Sequence, residues 1–245
     1  MCRLFYDPSP QTRGVNLIEE QLAALEESFG GDGNGMVLLG SGRRPIKGVK
    51  VRPRELAEAA VDFKGPVMFH TRKASMGGVV DELCQPFYIP HNTVIAHNGH
   101  WGEWGVALDT LLKAGKIHFI PNRLSDSLVG ALLARSYGLG AISNYIDEGV
   151  WLYADVPSAR DIREGAKQEP KQVVVVNHSG GFCVNFTTGQ AASEPVFWSE
   201  KDDVQWLARG SILQLFPEIK LLKGTTWVPS PKKQKGTAKK GKGKK

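Results

Sequence analysis

Cys2 directly follows Met1, so loss of a single residue would leave a thiol and a free α-amine on the same residue. An N-terminal amine titrates at about 7.7 to 8.0 and a free thiol at about 8.5, so near neutral pH the amine can take the thiol's proton at little cost. That pairing activates an N-terminal nucleophile without a second side chain. Cys is small enough at the second position for initiator methionine to be trimmed. Alone, a Cys there is more often a small residue opening a buried strand, because single-residue motifs carry little weight.

Three polar clusters add the groups that such a nucleophile would need. His70-Thr71-Arg72 follows the apolar run Val67-Met68-Phe69, and the planar fork of Arg72 can hold a carboxylate with two parallel hydrogen bonds. His97-Asn98-Gly99-His100 follows Val94-Ile95-Ala96, and an Asn amide beside a Gly backbone N–H can form an oxyanion hole, since Gly lets the backbone approach a reacting carbonyl. In Ser125-Asp126-Ser127, Asp126 can receive an ammonium group or simply cap a helix. A nucleophile, a carboxylate fork, an oxyanion pair and an ammonium acceptor together suit an α-amino acid whose distal amide is attacked, glutamine foremost. The blander readings are a surface ion pair for Arg72 and a structural place for Cys84 and Cys183. His70, His97 and His100 raise a metal site, but the Asn-Gly between His97 and His100 disfavours the helix that this spacing needs. No metal or cofactor is expected.

The elements that must position these groups are partly readable. A strand is expected over residues 2–6, then a helix capped by Asn16 and running to about Ser28. A glycine-rich turn over residues 30–35 leads into a strand over 36–39, and it lacks the lysine of a phosphate-binding loop. A helix is expected over 54–63, with short buried strands over 67–69 and 94–96 whose following loops carry the polar clusters. Helices are expected over 104–114 and 125–137, a hairpin from 173–176 and 182–186, and a helix from a Ser199 cap through Leu207. This order predicts a mixed sheet covered by helices.

Composition bounds the rest. With 245 residues, 41% of them hydrophobic, the chain can bury a large core. One domain is expected over residues 1–230, followed by a disordered Lys/Gly-rich tail over 231–245. That tail holds eight lysines and no acid, so removing its charge from the net +6 leaves the first 230 residues at −2. The basicity therefore belongs to a segment too poor in apolar residues to fold, which could touch nucleic acid or another polyanion without reading sequence. No apolar run reaches the roughly 18 residues of a membrane span, and the start lacks the layout of a signal peptide. The three cysteines, odd in number and without CxxC spacing, fit a reducing compartment, so a cytoplasmic protein with no membrane contact is expected.

Taken together, Met1-Cys2-Arg3-Leu4, Gly31-Asp32-Gly33-Asn34-Gly35, His70-Thr71-Arg72, His97-Asn98-Gly99 and Ser125-Asp126-Ser127 resemble the class II glutamine amidotransferases, a branch of the N-terminal-nucleophile hydrolases. Gln85-Pro86-Phe87 and residues 96–101 look most like their short, stand-alone members. The resemblance implies an α+β fold, a four-layer α/β/β/α sandwich with Cys2 at the start of a central strand. It implies Cys2, Asn98 and Gly99 as catalytic residues, with Arg72 and Asp126 gripping the α-carboxylate and α-amine of glutamine and His70 and Thr71 counted with them at the substrate. Two departures stand out. Leu128 occupies a place where the family usually has Glu, and the glycine segment lacks the usual small hydroxyl and alanine after Asp32.

The implied activity is hydrolysis of the glutamine amide through a γ-glutamyl thioester on Cys2. Ammonia and glutamate would be released, the ammonia passing to a separate synthase in trans. One rival is a free-standing amidohydrolase of a γ-glutamyl conjugate. Another is a non-catalytic binding module that uses the lysine tail to hold a polyanion.

Overall fold

In the computed structural model, which describes residues 2–89, 92–224 and 227–228, the chain is organised by strands whose two faces are both apolar. The strands are β1 (Arg3–Asp7), β2 (Asn34–Leu38), β3 (Ile46–Gly48), β4 (Val67–Thr71), β5 (Phe87–Ile89), β6 (Thr93–Asn98), β7 (Val150–Asp155), β8 (Gln172–Asn177), β9 (Cys183–Asn185), β10 (Ala191–Ala192), β11 (Val204–Leu207), β12 (Ser211–Phe216), β13 (Lys220–Lys223) and β14 (Trp227–Val228). The α-helices are α1 (Val15–Phe29), α2 (Pro53–Asp62), α3 (Trp104–Lys113), α4 (Asp126–Tyr137), α5 (Gly140–Tyr145) and α6 (Ala159–Arg163). The first sheet runs β14-β11-β9-β10-β1-β4-β2-β3 and the second runs β13-β12-β8-β7-β6-β5.

Because side chains alternate across a strand, each sheet presents apolar residues both inward and outward. Leu4, Tyr6, Val37 and Met68 of the first sheet meet Val94, Ala96, Leu152 and Val175 of the second in a core between the sheets. The outward residues Phe5, Met36 and Phe69 bury Ile18, Leu22 and Leu25 of α1 and Leu56 and Ala57 of α2. On the far side, Ile95, Trp151 and Val176 meet Leu108 and Leu111 of α3 and Val129 and Leu133 of α4. Four layers result, α/β/β/α, as the resemblance implied.

Several local expectations give way to tertiary structure. Helix α1 is preceded by Gly14 at φ +80° rather than capped by Asn16, and the Asn16 side chain instead accepts a hydrogen bond from Arg54 at 3.0 Å. Residues 199–207 do not form a helix. Val204–Leu207 is strand β11, paired between β9 and β14, and Ser199 sits in a turn closed by Asp202, which accepts from the Ser199 N–H at 2.9 Å. The expected hairpin is also absent: β8 lies in the second sheet and β9 in the first. Asn177 directs this crossing, accepting from Gly180 N at 3.0 Å and donating to Leu207 O at 2.8 Å. Strands β4 and β6 run on through His70-Thr71 and His97-Asn98, which are therefore strand residues and not loop residues. Met1 and the tail over residues 231–245 lie outside the described residues. Among those described, no helix is long and apolar enough to cross a membrane.

Candidate active site

The β1–β4 ladder pairs Arg3 with Thr71, and Cys2 and Arg72 each lie one residue beyond that pair at the same end of the sheet. Leu4, Tyr6 and Met68 face the second sheet, so strand alternation turns Cys2, His70 and Arg72 the same way. On β6, Val94 and Ala96 face the first sheet, and by the same alternation Asn98 does too. His97 turns outward, where its ring stacks on Trp151 at 4.0 Å between centroids and Nδ1 lies 3.0 Å from Ser127 Oγ at the start of α4. The outcome is a narrow cleft between the sheet ends, lined by Cys2, Arg72, Gly99 and Asp126 together with Lys73, Ser75, Met76, Gln85, Ser125 and Ser127.

Cys2 is 8% exposed, and burial pushes its thiol pKa up from the ordinary value. Its Sγ lies 3.5 Å from the Lys73 N–H that donates to it and 3.7 Å from the Lys73 carbonyl. The Arg72 guanidinium donates to the carbonyls of Gly78 at 2.8 Å and Met76 at 3.0 Å, so its fork is satisfied by its own loop. Those acceptors are neutral, and a carboxylate would bind the fork more strongly. Asp126 accepts from Trp101 N at 2.9 Å, from Ser127 N at 2.7 Å and from Ser127 Oγ at 3.2 Å. His100 Nδ1 lies 3.7 Å from the same carboxylate. Ser125 caps α4, accepting from Leu128 N at 3.2 Å, so the cap is Ser125 and the Asp126 carboxylate is left to face the cleft.

Gly99 has φ +151°, and a side chain there would come within 2.7 Å of Gly149 Cα and 3.0 Å of His97 Nε2. Only glycine fits, and Gly99 lines the cleft. Asn98 is 6% exposed and its Oδ1 has no hydrogen-bond partner among the described residues.

His70 and Thr71 do not line the cleft. Thr71 faces the helix layer, where a side chain on Gly30 would meet its Oγ1 at 2.8 Å. His70 Nε2 lies 3.2 Å from the His97 carbonyl, and since a carbonyl only accepts, Nε2 carries the proton. Burial pushes His70 down to about 3 and His97 to about 4, so both rings are neutral across the physiological range. Among the described residues no group of three His, Cys, Asp or Glu is placed to hold a metal ion. Gln85, named from the sequence only as part of the family resemblance, and Lys73, which no sequence pattern marks, also line the cleft.

No family model matches the chain, and none of the curated proteins matches it. Among solved structures it is similar to the glutamine phosphoribosylpyrophosphate amidotransferase of B. subtilis complexed with ADP and GMP, with a TM-score of 0.61 and 18% identity over 90% of this chain and 48% of that one. The structure of the allosteric regulatory enzyme of purine biosynthesis gives a TM-score of 0.63 and 16% identity over 90% of this chain and 48% of that one. A glutamine aminotransferase class-II domain protein from Silicibacter pomeroyi gives a TM-score of 0.50 and 13% identity over 87% of this chain and 94% of that one. The chain thus spans about half the length of the first two. At such identities what is shared is the fold: the chain has the two-sheet α/β/β/α architecture of these structures.

Proposed function

We propose that the protein hydrolyses the side-chain amide of glutamine, with Cys2 as nucleophile once Met1 has been removed. The observation that carries this reading is the convergence of Cys2, Arg72, Gly99 and Asp126, from four separate segments, on one cleft. The Arg72 fork exchanges the Met76 and Gly78 carbonyls for the α-carboxylate of the substrate, and Asp126 receives the α-ammonium group. The Cys2 α-amine takes the thiol proton, and the thiolate attacks the amide carbon. Charge that develops on the amide oxygen is met by the Asn98 side-chain amide and the Gly99 N–H. The tetrahedral adduct collapses, the protonated amine gives its proton to the departing nitrogen, and ammonia leaves a γ-glutamyl thioester on Cys2. A water deprotonated by the same amine then attacks the thioester, glutamate departs and the thiol is restored.

Ammonia released in this way suits delivery to an acceptor enzyme, and that component is proposed to be a separate synthase acting in trans. The reading is tested by intact mass spectrometry before and after exposure to a diazo-ketone analogue of glutamine. Loss of Met1 and a single adduct mapped to Cys2 are expected. Active protein that retains Met1, or an adduct elsewhere, would refute it, and a strong preference for γ-glutamyl amides over glutamine would move the substrate to a conjugate.

A further inference from the structure

Strand β5 lies at the edge of the second sheet and pairs Phe87 with Ile95, Tyr88 with Val94 and Ile89 with Thr93. Two residues further back, the same register sets Gln85 opposite His97. The backbone ladder does not continue there, because the strand ends at Phe87. The Gln85 side chain takes its place. Its Oε1 accepts from His97 N at 2.7 Å and its Nε2 donates to His97 O at 3.4 Å, the donor and acceptor pair that a strand backbone would have supplied.

The Gln85 main chain is thereby released to the other sheet. It lies so close to β2 that any side chain on Gly35 would collide with the Gln85 carbonyl. One residue earlier, Lys47 of β3 donates to the Cys84 carbonyl at 2.5 Å and lies 4.7 Å from the centre of the Phe87 ring. Gln85 thus rests by its backbone on the sheet of Cys2 and grips by its side chain the strand that ends at Asn98. His70 makes a second tie between the same sheets, again to the His97 carbonyl. Gln85 is 2% exposed and forms part of the cleft wall.

We infer that Gln85 is a positioning residue that sets the spacing between the Cys2 nucleophile and the Asn98–Gly99 oxyanion pair, by fixing the His97 peptide to the sheet of Cys2. The inference rests on the proposed reading of Cys2 and the cleft. An error of 1 Å in such a spacing costs roughly 100-fold in rate. Arg72 takes its place from the Gly78 and Met76 carbonyls and not from the His97 peptide, so the grip on the α-carboxylate is separable from the chemistry.

The test compares Gln85→Ala, Gln85→Met and Gln85→Glu with the wild-type protein, all lacking Met1. In the Ala and Met variants kcat for glutamine should fall by roughly 10- to 100-fold, while KM, inhibition by glutamate and the rate of Cys2 alkylation by iodoacetamide stay within about 3-fold. A protonated Glu carboxyl offers the same donor and acceptor as the amide, so the kcat of Gln85→Glu relative to wild type should rise as pH is lowered from about 8 toward about 5. A purely structural role would not restore activity with protonation or spare KM. Should Gln85→Ala fail to fold, Gln85→Met and the pH profile of Gln85→Glu decide the question. A folded variant with unchanged kcat, or one that loses kcat, KM and alkylation together, overturns the inference while leaving Cys2 as nucleophile. Wild-type protein without Cys2-dependent amidase activity overturns the underlying reading, and the inference with it.

Discussion

His70 Nε2 lies 3.2 Å from the carbonyl oxygen of His97, so a ring on the sheet of Cys2 holds the peptide that leads into Asn98 and Gly99. The bond needs a proton on His70 Nε2, and burial keeps the ring otherwise neutral by pushing it down to about 3, with His97 at about 4. An unfolded chain takes up protons at these rings near pH 6.5. Below that pH the unfolded state binds more protons, so stability is lost as pH falls, at up to about 1.4 kcal/mol per pH unit for each ring. The loss should continue to about pH 4 for His97 and about pH 3 for His70. Urea unfolding of wild type and His70→Gln between about pH 7 and about pH 4 tests this. The variant keeps a donor for His97 but cannot titrate, so its stability should fall less steeply. Parallel curves would sink the assignment of a neutral buried His70.

Cys2 is expected to be a poor nucleophile until Met1 is gone. Burial holds the thiol above its ordinary pKa, and reactivity follows the thiolate fraction. Protein that retains Met1 should therefore react with iodoacetamide at pH 7 at least ~10-fold more slowly than the trimmed form, whose α-amine accepts the proton. Equal rates in the two forms would remove the amine from the mechanism. In trimmed protein Cys2→Ala should cost ~1000-fold or more in amidase rate, while the other groups of the cleft remain in place.

Cys2, Arg72, Gly99 and Asp126 stand out in the sequence only in combination, because each alone has a common structural use, and the fold brings these four to one cleft. Their supports were not legible, and the reasons are physical. His70 and His97 read as loop residues because polar side chains interrupt an apolar run, yet the strands continue through them and bury both rings. Residues 204–207 carry apolar positions compatible with either a helix or a strand, and only pairing with β9 and β14 decides between them. Residues 172–186 look like a hairpin locally, since nothing in the short range says that Asn177 sends the chain to the other sheet. Gln85 acts only through its register opposite His97, which becomes visible once β5 and β6 are paired.

Arg72 should separate binding from chemistry. Its two hydrogen bonds to Gly78 and Met76 show the fork geometry already formed, and hydrogen bonds to charged groups contribute about 1.5–3 kcal/mol each. Arg72→Met is expected to raise KM for glutamine by roughly 10- to 100-fold and to leave kcat within about 3-fold. Arg72→Lys should recover little of this, because a single ammonium cannot make the two parallel bonds. A fall in kcat with unchanged KM would place Arg72 in the chemical step instead.

Gly130 sets two effects of opposite sign against each other. It lies within α4, where Ala would ordinarily be preferred by about 1 kcal/mol. Any side chain there, however, would collide with the Trp151 ring, which is fully buried and stacked on His97. Overpacking of a tight core costs about 1–3 kcal/mol, and Trp151 has little freedom to retreat, so the steric cost should win. Gly130→Ala is expected to lower the thermal midpoint, at about 2–4 °C per kcal/mol for a domain of this size. Moving α4 off the second sheet would also displace Asp126 at its first turn, so KM for glutamine should rise while alkylation of Cys2, which sits on the other sheet, is unaffected. A more stable variant with unaltered KM would mean that α4 does not sit against Trp151 as closely as the contact at Gly130 requires.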